Sequence, residues 1–118
     1  MSTQPVHPAG ESIPRPAKAP DALRSALAEL DPARLAEMAS TKDEAFALAA
    51  QSGKIGHIHA WITWWASVVE MERRADLRTR MRHAEHLVQT LDSSDPRWSA
   101  AMVDMTAVMD EAKAAVDG

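Results

Sequence analysis

The side chains that could do chemistry in this chain are five histidines, nine serines and two adjacent acid pairs, Asp43-Glu44 and Asp110-Glu111. His57 and His59 are two apart, so on a helix they point to nearly opposite sides and cannot share one ion. His83 and His86 are three apart and share a face, but Glu85 lies beside that face and no HExxH pattern completes a metal set. The chain has no cysteine, which excludes disulfides and thiolate metal sites. No serine sits in a GxSxG elbow. Gly53-Lys54-Ile55-Gly56 lacks the Walker spacing and reads as a helix end followed by a helix start. The acid pairs fall on helix surfaces, where carboxylates are ordinarily solvated. These patterns predict no catalytic, cofactor-binding or metal-ligating residues, and a protein that is not an enzyme.

Charge is distributed unevenly. Net charge is −4, yet five arginines crowd between Arg73 and Arg82. Arg74, Arg78 and Arg82 recur every four residues and form one basic helical face. Glu70 precedes Arg74 by four, and Asp76 precedes Arg80 by four, the favourable acid-first order for a salt-laced helix. The band could also face an anion, a nucleic acid or an acidic protein patch. An acidic chain with one basic band is unlike a general nucleic-acid binder. The segments on either side of the band are acidic, which suits a basic partner.

Helices must position these groups. Residues 1–20 hold five of the seven prolines without apolar periodicity and read as a disordered tail. Residues 21–118 read as one helical domain. Asp21 can cap a short helix bearing Leu23, Leu27 and Leu30. Asp31-Pro32 starts a second helix with Leu35 and Met38, and Thr41 with Glu44 has capping-box spacing for a third. Gly53 closes it.

Three longer helices follow. Ile58, Ile62, Trp65 and Val69 make one stripe, with Glu70 to Arg74 as its expected solvated end. Asp76 caps a helix carrying Leu77, Met81, Ala84, Val88 and Leu91. Asp95-Pro96 opens the last helix, striped by Trp98, Met102, Met105, Met109, Ala112 and Val116. The expected fold is all-α: three short helices, then three longer amphipathic helices in antiparallel hairpins. No apolar run reaches the ~18 residues of a membrane span. With no signal-like start, the expected setting is the bacterial cytoplasm.

Trp61, Trp64 and Trp65 spread over more than half a turn, so they cannot all enter one thin core. Trp65 is the expected core residue, leaving Trp61 or Trp64 on a second surface. Tryptophan concentrates at binding hot spots, and methionine suits adaptable interfaces. Trp61, Trp64, Trp98, Met102, Met105 and Met109 are therefore the expected partner-binding residues, and Arg74, Arg78 and Arg82 the basic surface.

The segment 57–91 resembles an uncharacterised family of short actinobacterial helical proteins. The resemblance rests on Trp64-Trp65, Ala75-Asp76, Arg80-Met81-Arg82 and Ala84-Glu85. The helix from Pro96 onward has no counterpart in that pattern. Such proteins are associated with small toxins, so the resemblance implies an antitoxin-like role in a toxin–antitoxin system, the partner being another protein chain. Acids near Asp104, Asp110 and Glu111 would meet that partner. Self-association as a homodimer through the Trp or Met stripe is the alternative, and nucleic-acid binding by the Arg73–Arg82 band a third.

Overall fold

The helix starts and stops follow from proline, glycine and extended linkers. The computed structural model describes residues 13–117 and is all-helical over them. Helix α1, Pro20–Leu30, has proline in its first turn and buries Leu23, Ala26 and Leu27, the spacing of one helical face. It ends at Asp31, which leaves the helical region as a residue before proline tends to do. Pro32–Arg34 forms one turn of 3-10 helix and runs directly into α2, Leu35–Ser52. Gly53 closes α2 with φ +70°, a left-handed conformation that glycine adopts without strain. Helix α3 spans Gly56–Arg73, α4 spans Ala75–Thr90 and α5 spans Pro96–Val116. The Asp95 carboxylate caps α5 by accepting from the Arg97 N–H.

Two expectations about the helices are overturned. Thr41 does not start a helix. It lies in the middle of α2, so the two short helices expected on either side of it are one helix of 18 residues. Between Leu35 and Ser52 there is neither glycine nor proline, and six alanines favour continuation. The described residues thus form five α-helices and a 3-10 turn, not three short helices followed by three long ones.

The expected row of antiparallel hairpins is also corrected. Helices α3 and α4 are joined through the single extended residue Arg74, too short a link to fold α4 back along α3. The hairpins are instead α2–α3 around Gly53 and α4–α5 around residues 91–95. Helix α5 spans the α3–α4 junction. Its N-terminal half packs on α4, where the Trp98 indole donates to the Val88 carbonyl (3.1 Å) and Arg80 reaches Asp104 (2.8 Å). Its C-terminal end reaches the cluster formed by α1, α2 and α3 through Val116.

The core is accordingly in two parts. Leu23, Leu27, Met38, Trp61, Trp65, Val68 and Val69 form the first, completed by Val116. Met71, Leu77, Met81, Val108 and Ala112 form the second, at the α3–α4 junction, and Met109 packs against both. Among the described residues no helix is long and apolar enough to cross a membrane.

The expected tail needs correction from Ile13 onward; residues 1–12 lie outside the described part. Ile13 packs against the first cluster, and its carbonyl accepts from Arg73 (3.1 Å). Arg15 grips Glu70 with two hydrogen bonds of 3.0 and 2.8 Å, and the Lys18 ammonium donates to the Val116 carbonyl. The segment is held because Glu70 is buried and its charge needs cations.

Candidate functional site

The site is assembled where α5 crosses the α3–α4 junction. Val68 and Met71 of α3, Met81 of α4 and Met102, Met105 and Met109 of α5 make an apolar floor. Trp64 stands at one side. Asp31, Arg34, Arg82, Glu85, Thr106 and Asp110 form the rim of a groove of about 670 Å³. A second concavity of about 550 Å³ opens on the other side of the Trp64 ring, between α3 and α5, and is lined by Ala60, Thr63, Ser67, Met109, Asp110, Lys113 and Asp117. Trp64 is 47% exposed and Met102 40%. The next residue, Val103, is 70% exposed and extends the apolar surface along α5.

Four of the six expected partner-binding residues, Trp64, Met102, Met105 and Met109, therefore meet in one groove. The other two do not. Trp61 is buried beneath α2, with its ring 6.5 Å from that of Trp65. Trp98 is half-buried at the far end of the α4–α5 hairpin, where its N–H is used by Val88. The buried face of α5 runs through Ala101, Val108, Ala112 and Val116, so the methionine stripe lies along the edge of the core and not at its centre. That offset leaves methionine side chains facing the groove.

Thr41 explains why Trp61 and Trp65 point inward and Trp64 does not. Its hydroxyl accepts from both indole N–H groups, at 3.1 Å from Trp61 and 3.2 Å from Trp65, while it donates back to the α2 carbonyls. Both rings are thereby buried without an orphaned donor. The Arg34 guanidinium lies 5.2 Å over the Trp65 ring and covers it from the groove side.

The expected solvated end of α3 is instead buried. Glu70, Glu72 and Arg73 are 1–3% exposed. Glu70 receives Arg73 at 2.7 Å as well as Arg15. Desolvation pushes the Glu70 carboxyl up, but the Arg15 and Arg73 hydrogen bonds outweigh it and hold the pKa below its ordinary 4.5. Both Glu72 oxygens accept from Arg82, at 2.7 and 2.8 Å. Burial and the neighbouring Asp31 carboxyl nonetheless raise the Glu72 pKa above 4.5.

The two shifts have opposite signs in folding. Glu72 binds its proton more tightly in the folded chain, so stability is gained as pH falls through its raised pKa. That gain is complete below 4.5. Glu70 binds its proton less tightly when folded, so its contribution is present above 4.5 and lost as pH falls through its depressed pKa. Chemical-denaturation midpoints measured from pH 7 to 3 should rise on approaching 4.5 and fall below it. Glu72→Gln should remove the rise and keep the fall. An unchanged rise in that variant would show that another group carries it.

The expected basic surface is internally engaged. Arg74 pairs with Asp76 at 2.7 Å and Glu70 at 3.9 Å, Arg78 donates to the Glu72 carbonyl, and Arg82 also reaches Glu85 at 2.9 Å. Arg80 does not pair with Asp76 as its spacing suggested; it bridges to Asp104 and Glu111 of α5. Two of the acids expected to meet a partner are thus occupied within the chain. Asp110, between them in sequence, has no ion pair among the described residues and lies on the groove. His59, His83 and His86 are exposed, and among the described residues no three His, Asp or Glu side chains converge to hold a metal ion.

Comparison with protein-family models, curated proteins and solved structures finds no match to this chain.

Proposed function

We propose that this protein is a non-enzymatic, antitoxin-like binding module that holds a small protein toxin against the Trp64–methionine groove. The observation that carries the reading is Trp64 itself. A tryptophan 47% exposed, standing between two concavities and beside Met102, Met105 and Met109, forms an apolar surface that water covers at a cost. Methionine side chains adapt to varied partners, and a central tryptophan is the commonest kind of binding anchor. Homodimerisation through the same groove is the second reading, favoured by the exposed Met102–Val103 edge of α5.

Purification of the tagged chain from its native host tests the proposal. The expected result is a stoichiometric small protein whose growth inhibition is relieved by co-expression of this chain. Trp64→Ala should weaken that complex by more than about 2 kcal/mol, the cost of a binding hot spot. The same substitution should leave unfolding within about 1 kcal/mol, because a half-exposed ring contributes little to the core. A chain that purifies alone at every concentration, with an unchanging melting temperature, contradicts both readings.

A further inference from the structure

We infer that the groove takes a basic amphipathic helix: apolar anchors on the methionine floor, with lysine or arginine at both ends. The inference rests on the docking reading above and adds the chemistry of the partner. The shape is the first argument. From Met102 to Asp110 the α5 side of the groove runs about 12 Å at 1.5 Å per residue, the span of anchors at i, i+4 and i+7 on one helix. An open groove floored by methionine and walled by one tryptophan suits a helix laid along it.

Charge supplies the second argument. The rim arginines are already engaged, Arg34 with Glu37 and with the face of Trp65, and Arg82 with Glu72 and Glu85. Around Arg82 stand three carboxylates, the buried Glu72 at 2.7 Å and the rim groups Glu85 at 2.9 Å and Asp31 at 3.9 Å, so one guanidinium faces three negative charges and Glu85 and Asp31 present the acid to the groove. At the other end Asp110 is exposed beside Trp64 and has no ion pair among the described residues. A helix with basic ends meets carboxylate at both. One with acidic ends meets like charge at both, and its desolvation is uncompensated.

Calorimetric titration of the full chain with two synthetic helical peptides tests this. Both carry leucine at i, i+4 and i+7; one has lysine flanks and the other glutamate flanks. The lysine peptide should bind at least about tenfold more tightly than the glutamate peptide. Trp64→Ala should cost it about tenfold or more, and Asp110→Lys about threefold or more, with each variant still folded and melting cooperatively. If the glutamate peptide binds as well and depends equally on Trp64, the groove docks helices but the basic assignment is wrong. If neither peptide's binding responds to Trp64→Ala, the docking surface itself is refuted.

Discussion

Glu70→Ala should destabilise the protein by about 3–5 kcal/mol, the cost of breaking a buried ion pair by removing one of its members. The Arg73 guanidinium is 4% exposed and held by Glu70 at 2.7 Å, and no solvent can replace that carboxylate. The loss should extend beyond one pair. Arg15 would also lose its anchor, so the docked segment from Ile13 to Ala19 should become protease-sensitive. The comparison that isolates the cause is the double substitution Glu70→Met, Arg73→Leu. With both members of the pair replaced by apolar groups of similar size, their desolvation penalty goes together with their attraction, and stability should recover most of the loss. Urea unfolding of the two variants decides the matter. If the double variant is as unstable as Glu70→Ala, the ion pair is not what the single substitution disturbs.

Thr41→Val should cost about 2–4 kcal/mol, despite being nearly isosteric, because two buried indole donors lose one shared acceptor at about 1–2 kcal/mol each. Trp65 is fully buried and Trp61 nearly so, and both indole N–H groups donate to this one hydroxyl. Thr41→Ser keeps the acceptor and should retain most of the stability. The tryptophan fluorescence of Thr41→Val should also shift to the red as the α2–α3 pairing loosens. A valine variant within about 0.5 kcal/mol of the parent would show that the indoles find other acceptors.

Both sites show where sequence periodicity reads well and where it does not. The apolar stripes placed Trp65, Val69, Leu77, Met81, Ala84, Ala112 and Val116 inside, and the structure buries each of them. The turn chemistry of Gly53 and Asp95 was equally readable, because each acts through local backbone geometry. Thr41 was misread for a physical reason. Its capping spacing with Glu44 is a local signal, while its actual partners lie 20 and 24 residues ahead on another helix. The burial of Glu70, Glu72 and Arg73 runs against their residue type, since charged side chains are ordinarily solvated. Their positions gave another signal: Glu70, Glu72 and Arg73 follow Ala66, Val68 and Val69 by four and continue the buried face.

The groove was half legible. Trp64, Met102, Met105 and Met109 could be singled out because their residue types are unusual on an exposed edge. The contributions of Asp31, Arg34, Arg82 and Glu85 could not, since they depend on α5 crossing a junction where α4 continues onward from α3. The methionine stripe lies where α5 crosses that junction. The one-residue link at Arg74 is what leaves it at the edge, facing the groove.

On the proposed function, a protein partner occupies this groove. Site-specific photo-crosslinking in the native host tests it most directly, with the crosslinking amino acid placed at Thr106 on the rim or, as a control, at exposed Leu48 on α2. The account predicts one discrete crosslinked protein from position 106, absent from position 48 and lost on adding Trp64→Ala. Crosslinks that arise equally at position 48, or that persist at 106 without Trp64, would contradict it.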